Sequence, residues 1–398
     1  SLFFLKKYIL KNDISKIDIK HIRLFHQSNR NSKISSPCLI TKEKTILLEE
    51  LNEKVPDINV YLMENITIVG GTDLLINKKA KIFYHFELLR MGQQHDMKAR
   101  AIISKLHRNS DIYQIYHLSE RNLKDDTIYL SLLKEHSHNY FHWVTEVVPR
   151  LLVSLEALSK QENFNLNNYK LLVDKNLPRQ LLELLSLLIS DDMKIILIRR
   201  AEMVTVKRLI YCSPLWLSLD NTLSLPDPRK EFFVDQYALN LTRNSIKSAV
   251  PFKVSVKPFR RIYMRRLNNK LRPLENLDQL EVMLKKKEFD FVDTSILTFQ
   301  EQIKMFAEAK IIIGVSGAAF TNMLFMNKGS HAISLYPSTT STNYYVFQPL
   351  ADISGVCLLH FLTNKTNELD DGVHTEASVD VKRLENKINE LDENNGKD

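Results

Sequence analysis

The chain has 398 residues, of which 44% are hydrophobic and 26% charged. This is an ordinary globular composition, and the chain is long enough for two hydrophobic cores. No run of about 18 apolar residues is present, which argues against a membrane-spanning helix. The formal net charge of +8 implies attraction to an anionic partner such as a phosphorylated substrate, a lipid headgroup or nucleic acid. Three widely spaced cysteines exclude a disulfide framework and a CxxC metal clamp, and they favour a reducing compartment.

The first half of the chain begins β-rich and then alternates. "TILLEE", "NVYLMENITIVGG" and "AKIFYHFELL", within residues 36–90, predict short strands separated by turns. From residue 128 onward, the stretches "DTIYLSLL", "YKLLVD", "KIILI" and "VKRLIYCS" predict strands, and "LPRQLLELLSLLI" predicts a helix between them. Strands that alternate with helices predict a layered α/β structure with parallel strands.

The second half follows a proline-containing stretch, residues 216–258, in which a polar helix is predicted between 228 and 247. "RRIYMRR", "FDFVDT", "IIIGV" and "HAISLYP" then predict strands, and "NLDQLEVMLKKK" and "TFQEQIKMFAEAK" predict helices, the latter opened by a capping box from Thr298 to Glu301. Such alternation is typical of a doubly wound sheet. We therefore divide the chain into residues 1–225, a linker with a helix at 226–258, a second domain at 259–365, and a C-terminal helix with a flexible tail at 366–398.

The stretch "HNYFHWVTEVVPRLL", residues 138–152, has polar residues at every fourth position: His138, His142, Glu146 and Arg150. On a continuous helix these four side chains share one face, and Pro149 must either kink that helix or lie in its first turn. Three interpretations stay open. The stretch is a core helix whose His and Glu bond each other, a metal site that also uses His136, or an acid–base site.

Two loops in the second half suit an anion. In "AKIIIGVSGAAFTNMLF", residues 309–325, an apolar strand runs into Ser316 and Gly317, and a helix is predicted to begin at Ala318 or Ala319. Small residues there let backbone N–H groups approach a ligand. In "RRIYMRRLNNKLRP", basic side chains follow another strand, and arginine forks match phosphate oxygens. Ligands of open α/β sheets bind beyond the carboxyl ends of strands, so the two loops together indicate a diphosphate more strongly than either loop alone. A tight turn without a ligand and solvated loop cations stay open as alternatives.

These pieces in their order resemble glycosyltransferase family 61, in particular its bacterial capsule and surface-polysaccharide members. The resemblance covers roughly residues 40–390 and rests on "NYFHWVTEVVPRL", "LLVDKNLPRQLLELL", "VKRLIYCSP", "IYMRR…RPLENLDQL" and "FVDTSILTFQEQIKMFAEAKIIIGVSGAAFTNMLFMNKGSHAISLYP". It implies a GT-B type α/β fold: two Rossmann-like domains facing a cleft, here with a β-rich N-terminal segment. Residues 1–225 would be the acceptor side, and residues 259–365 would bind the nucleotide sugar.

Carried over by position, the resemblance predicts donor-binding residues, which are Arg265, Arg266, Arg272, Asn276, Ser316, Gly317, Ala318 and Asn322. Ser316 stands where the family usually has the His of a His-Gly-Ala turn, so the positive charge of that His is lost here. Glu146 is the predicted base, with His142 orienting it or serving as base itself. Arg150 and His138 are predicted to contact the acceptor or a phosphate.

The predicted activity is an inverting transfer of a sugar, hexosyl or pentosyl, from a nucleoside diphosphate sugar to a saccharide or lipid-linked glycan acceptor in capsular or other surface-polysaccharide biosynthesis. No cofactor and no obligatory metal are expected. The predicted location is the cytoplasm, including peripheral association with the inner face of the membrane through basic charge. The alternatives are a catalytically degenerate nucleotide- or glycan-binding module and, from the histidine cluster, a metal-dependent hydrolase. No nucleic-acid-binding motif is present, and nucleic acid is not expected as a partner.

Overall fold

The computed structural model describes residues 4–18, 20–86, 102–107, 111–162, 164–218, 227, 232–253, 257–265, 272–340, 342–366 and 375–395. The fold is mixed α/β and forms two compact units. Unit 1 comprises Ser1–Ser32, Lys54–Leu217 and Lys230–Ala249, and unit 2 comprises Lys33–Glu53, Ser218–Arg229 and Val250–Asp398. Residues 33–53 thus lie in unit 2 although they precede the predicted boundary, and the helix of the predicted linker lies in unit 1.

Unit 1 is built on a mixed sheet that is parallel at one end. In the order of the sheet, its strands are Ile103–Lys105, Ile112–His117, Phe4–Leu10, Ile82–Tyr84, Leu75–Asn77, Ile58–Val69, Glu202–Cys212, Ser119–Ser131, Tyr169–Asp174 and Lys194–Ile198, with Ile22–Gln27 paired to Ile58–Val69. The last four are mutually parallel, whereas Glu202–Cys212 pairs antiparallel with Ile58–Val69. The carboxyl ends of Ser119–Ser131 and Tyr169–Asp174 therefore lie at one edge.

The helices of unit 1 are Tyr140–His142, the π-helical turn Trp143–Val147, Val148–Ser159, Arg179–Leu188 and Gln236–Ala249, with short 3-10 turns at Ile14–Lys16 and Leu166–Asn168. A short ribbon pairs Trp216–Ser218 with Phe232–Val234. A second ribbon pairs Asn31–Ile34 with Leu51–Lys54, and most of its residues belong to unit 2. A buried apolar cluster that includes Met63, Tyr129, Leu172 and Val204 fills one core of the sheet.

Unit 2 contains a largely parallel sheet. In the order of the sheet, its strands are Asp290–Val292, Arg260–Met264, Ala309–Val315, His331–Pro337, Cys357–Lys365, Cys38–Ile40 and Thr45–Leu47, with Ala377–Ser378 paired to the end of Cys357–Lys365. The first six are parallel. From residue 260 onward the spatial order is second, first, third, fourth and fifth in the chain, which is one of the common doubly wound orders.

The helices of unit 2 are Leu277–Lys286, Phe299–Ala307, the 3-10 helix Ala318–Phe325, Gln348–Ser354 and Val381–Asn395. The capping box is confirmed: the Thr298 hydroxyl accepts from Glu301 N and the Glu301 carboxylate accepts from Thr298 N. The start of the 3-10 helix at Ala318 also agrees with the sequence. Within the described residues, no helix is long and apolar enough to cross a membrane. The predicted flexible tail falls partly on residues 396–398, which lie outside the described residues.

Candidate functional site

Residues 140–159 form a helix that is interrupted by one wide turn. Asn139 caps its start by accepting a hydrogen bond from Phe141 N at 2.9 Å. Across residues 143–147 the backbone is π-helical, so that Val148 N–H donates to Trp143 O. Pro149 then lies in the first turn of the following α-helix, where its missing N–H is tolerated. A π turn inserts a residue into the helical repeat, and such turns frequently occur at functional sites.

His138 does not share the helix face with the other polar residues, contrary to the expectation from spacing. It precedes the cap at Asn139 and its side chain is exposed. Its ring lies 6.2 Å from that of His136, and His136 lies 5.5 Å from His142, both between ring centroids. The three imidazoles therefore follow one another from the surface towards the buried helix.

His142 and Glu146 form a buried pair. His142 Nδ1 lies 2.7 Å from Glu146 Oε1, and the residues are 7% and 4% exposed. Lys134 Nζ lies 3.1 Å from Glu146 Oε2. Both oxygens of the Glu146 carboxylate are thus engaged, one by an imidazole and one by an ammonium group. Such a carboxylate fixes the tautomer and orientation of the histidine and stabilises its protonated form.

Arg150 is also buried, and it faces the strand that precedes the helix. Its Nη2 donates to Leu133 O at 3.2 Å and lies 3.5 Å from Ser131 O. Its Nη1 lies 3.6 Å from Asp73 Oδ2. In unit 1 the guanidinium therefore ties the end of Ser119–Ser131 to the helix, while the predicted contact with acceptor or phosphate stays a prediction.

Three residues that sequence reasoning did not single out complete this cluster. His85 Nε2 lies 2.7 Å from Asp73 Oδ1 and 3.0 Å from Glu135 Oε1, and all three side chains are buried. Burial alone would lower the pKa of His85, but the two carboxylates raise it to about 10. Burial alone would raise the pKa of Asp73, but His85, Lys134 and Arg150 outweigh that effect and hold the pKa well below its usual value. The two carboxylates therefore favour the protonated form of His85.

The buried charges of this cluster balance. Three carboxylates (Asp73, Glu135, Glu146) face three cations (His85, Lys134, Arg150). A balanced set is what the interior of a protein tolerates, since an unpaired buried charge is strongly destabilising.

The loop that supplies Lys134 and Glu135 is held from a neighbouring strand. Asp174, the last residue of Tyr169–Asp174, accepts from Gly71 N at 2.7 Å, from Ser137 Oγ at 2.7 Å and from Lys134 N at 3.3 Å. Burial raises the pKa of this carboxyl group against the effect of those hydrogen bonds. The cluster thus lies at the carboxyl edge of the parallel strands, where α/β sheets bind ligands. A usable signal in the sequence was polar residues directly after predicted strands: Asp73 follows "ITIVGGT", and Lys134-Glu135 follow "YLSLL".

In unit 2, the two loops predicted to bind an anion follow adjacent strands. Arg260–Met264 and Ala309–Val315 are the first and third strands of the parallel order, so both loops begin at the topological switch point. Gly314 allows the strands to approach, because a Cβ there would lie 3.1 Å from Met264 Cβ. Arg272, in the left-handed region with φ of 59°, donates from Nη1 to Ser316 O and lies 5.4 Å over the Tyr336 ring. The structure therefore brings Arg272 and the Ser316 turn together.

The other predicted donor residues differ in what they contact. Arg265 forms a two-pronged ion pair with Glu281, at 2.8 and 3.2 Å. The Asn276 amide bonds both the N–H and the C=O of Val379, at 2.9 and 2.7 Å. Buried Asn322 donates to Gln302 Oε1 at 3.0 Å. These contacts hold helices and strands in place, and Arg266 lies outside the described residues.

In the turn after Ala309–Val315, a backbone hydrogen bond fixes Ser316, and the backbone of Gly317 is extended. Ser316 N donates to Leu335 O of the neighbouring strand at 3.0 Å. Gly317 is extended, with φ of 162°, and leads into the 3-10 helix at Ala318. The N–H groups of Gly317 and Ala318 therefore stand at a helix start, where the partial positive charge favours an anion.

The comparison with known families bears on both regions. Residues 140–333 match the family model described as Glycosyltransferase 61. The matched residues include the His142–Glu146 pair of unit 1 and the two adjacent loops of unit 2. No curated protein matches the chain.

Proposed function

Starting from the glycosyltransferase 61 domain that the chain carries over residues 140–333, we propose that this protein is an inverting glycosyltransferase. It takes a sugar from a nucleoside diphosphate sugar and transfers it to a saccharide or lipid-linked glycan in capsular or other surface-polysaccharide biosynthesis. The observation that carries the proposal is the buried His142–Glu146 pair, 2.7 Å apart, at the carboxyl edge of parallel strands. A GT-B architecture is part of the proposal, supported by the doubly wound strand order of unit 2.

Inversion requires a base that removes the proton of the acceptor hydroxyl while its oxygen attacks the anomeric carbon. We assign that role to His142. Its Nδ1 is directed at Glu146, so the lone pair of the neutral imidazole lies on Nε2. Glu146, with Lys134 on its second oxygen, orients the ring and stabilises the imidazolium that forms. This reverses the order of preference expected from the sequence within the same pair.

The donor diphosphate is assigned to the switch point of unit 2. Arg272 and the N–H groups of Gly317 and Ala318 would bind the phosphate oxygens, and Arg266 would add a second guanidinium. As the nucleoside diphosphate departs, these groups stabilise its negative charge. Ser316 contributes a hydroxyl, which cannot carry positive charge, where the resembled family usually has a histidine, so the arginines carry more of the stabilisation here. No metal is assigned to the donor phosphates.

The test is kinetic, after a screen of nucleotide sugars for those that raise the melting temperature. His142→Gln should lower kcat about 10²–10⁴-fold with donor affinity unchanged, since it removes the base but not the phosphate site. Glu146→Gln should also lower kcat, because the amide cannot stabilise the imidazolium. His26→Gln, at an exposed histidine bonded to Asn59, is the matched control and should keep wild-type turnover. Normal kcat in His142→Gln would remove the assignment.

A binding module without transferase activity is the second candidate, and it is favoured by Ser316 at the position of the family's usual histidine. It predicts nucleotide binding with neither transfer to any acceptor nor hydrolysis of the donor. Serine to histidine substitution at that turn, Ser316→His, would then leave turnover at zero, whereas in a working enzyme it should change kcat.

A further inference from the structure

Asp73, His85 and Glu135 come together in unit 1 from three separate parts of the chain. Asp73 lies between the strands Ile58–Val69 and Leu75–Asn77, His85 directly follows Ile82–Tyr84, and Glu135 follows Ser119–Ser131. One ligand-type atom from each lies within 4.8 Å of the other two. In the part of the chain that the structure describes, these are the residues that form a group of three potential metal ligands at this spacing.

A single proton on His85 Nε2 cannot form hydrogen bonds with both the Glu135 and the Asp73 carboxylates. His85 Nε2 makes its hydrogen bond with Glu135 Oε1 at 3.0 Å. Asp73 Oδ1 is even closer to the same nitrogen, at 2.7 Å, but it is not aligned to accept a hydrogen bond from it. One N–H points in one direction, so it cannot serve two carboxylate oxygens, whereas a metal ion forms a separate bond with each donor atom.

The carboxylates retain unused capacity as ligands. Neither oxygen of Asp73 accepts an aligned hydrogen bond from the described residues, and neither does Glu135 Oε2. On its far side Asp73 is in ion pairs with Arg150 at 3.6 Å and Lys134 at 4.0 Å, both from Oδ2. Oδ1 is left facing His85. Cationic partners on the outer oxygen of a ligating carboxylate are the kind of outer contact that orients it.

We propose that Asp73, His85 and Glu135 bind a divalent transition-metal ion, with Zn²⁺ as the fitting probe. An imidazole with two carboxylates suits such ions, while Mg²⁺ and Ca²⁺ take oxygen ligands and gain little from the imidazole. Three protein ligands leave a position for water or another small ligand. The ion would displace the proton that the two carboxylates favour on His85, and the neutral imidazole would then coordinate through Nε2, so that binding adds one positive charge to the cluster.

The ligand atoms of Asp73, His85 and Glu135 would have to move apart by less than about 1 Å to match a tetrahedral metal site. Bonds of about 2.0–2.2 Å in a tetrahedral site place ligand atoms roughly 3.3–3.5 Å apart. The distance of 2.7 Å from His85 Nε2 to Asp73 would have to lengthen by about 0.6–0.8 Å, and the distance of 3.0 Å to Glu135 by about 0.3–0.5 Å. The bound ion would add a direct link between the three chain segments that carry these ligands. It would also fix Glu135 and hence its neighbour Lys134, which contacts Glu146.

The test measures binding and therefore does not depend on any transferase activity. Full-length protein stripped with EDTA is titrated with Zn²⁺ in competition with a chromophoric chelator. One ion per chain is expected, together with a higher melting temperature and no comparable response to Mg²⁺ or Ca²⁺. Glu135→Gln and Asp73→Asn should each weaken Zn²⁺ binding by about 100-fold or more, because loss of a mere outer contact already costs about 10–100-fold.

The matched control addresses the other histidines of this region. His136→Ala/His138→Ala removes two exposed imidazoles that could bind Zn²⁺ adventitiously, and it should leave the stoichiometric site intact. If the double variant abolishes binding while Glu135→Gln preserves it, or if the stripped protein binds no stoichiometric Zn²⁺, the proposal is wrong and a proton occupies the site. Should either carboxamide variant fold poorly, X-ray absorption of the Zn²⁺-loaded wild type decides. A shell of oxygens with one imidazole supports the site, and a shell with two or more imidazoles overturns it.

Discussion

The contacts of Arg150 predict that its replacement by methionine severely destabilises unit 1. Arg150→Met removes the ion pair with Asp73 and the hydrogen bonds to the carbonyls of Leu133 and Ser131. Asp73 then keeps its charge in the interior with one cation fewer. Breaking a buried pair by removing one partner costs about 3–5 kcal/mol, and we expect a loss in that range in the free energy of unfolding of unit 1.

The assay follows from the position of the tryptophans. The chain has two, Trp143 and Trp216, and both lie in unit 1. Urea unfolding followed by tryptophan fluorescence therefore reports on unit 1. The matched control is Arg179→Met, because the ion pair of Arg179 with Glu183 lies on the surface, with the arginine 84% exposed. Such a pair contributes about 0.3–0.5 kcal/mol.

A double variant separates lost attraction from uncompensated charge. In Arg150→Met/Asp73→Asn the carboxylate that Arg150 compensated is also removed. The loss in the free energy of unfolding should therefore be about 1–3 kcal/mol smaller than the sum of the losses in the two single variants. If Arg150→Met costs less than about 1 kcal/mol, or if the two losses simply add, Arg150 does not compensate Asp73 and the reasoning is refuted.

Two further predictions concern other parts of the fold. Gly314→Ala should destabilise unit 2 by about 1–3 kcal/mol, because the new Cβ would lie 3.1 Å from both Met264 Cβ and Cε. Differential scanning calorimetry measures this loss of stability. An unchanged transition temperature would mean that the Met264 side chain moves aside without cost. Burial, and secondly Arg243, lowers the pKa of Lys247 to about 8. The folded state therefore binds fewer protons than the unfolded state between pH 8 and the ordinary value of 10.5, and unit 1 should gain stability as the pH rises through that window. Lys247→Met should remove this penalty and stabilise unit 1 by about 1 kcal/mol at pH 7, after allowance for partial solvent screening, with the advantage gone near pH 10.5; an equal advantage at both pH values would contradict the assignment.

Local patterns predicted the elements well because the forces that define them are local. The capping box at Thr298 is a contact between residues three positions apart, and the apolar run before Gly314 is long enough for only one buried strand. The same reasoning failed for His138. Spacing by four assumed a continuous helix from His138 onward. Instead, Asn139 is the N-cap, so the helix begins at Tyr140, and the π turn at Trp143–Val147 shifts the helical repeat. Asn139 was the available signal, since asparagine is a preferred N-cap residue.

Long-range pairings could not be predicted from the sequence. Cys38–Ile40 joins the parallel sheet of unit 2 next to Cys357–Lys365, with Cys38 opposite Leu359, and nothing near residue 38 indicates that partner. Asp73 and His85 were missed for the same reason. Each stands alone among turn and strand residues, and their relation to Glu135 exists only once the sheet has placed three loops at one edge.

The buried charges of unit 1 are better explained by positioning than by stability. Replacing a buried ionic cluster by well-packed apolar side chains is often neutral or stabilising, so stability alone does not account for three carboxyl groups and three basic groups in one interior. The contacts of the cluster instead form a chain that ends at the His142–Glu146 pair. Asp73 holds Arg150 on the helix, Asp174 holds the loop of Lys134, and Lys134 ends on Glu146, which orients His142. In the proposed reaction the His142 imidazole removes a proton in one direction and therefore needs a rigid support with directional contacts, whereas an apolar core of equal stability would leave its orientation undetermined.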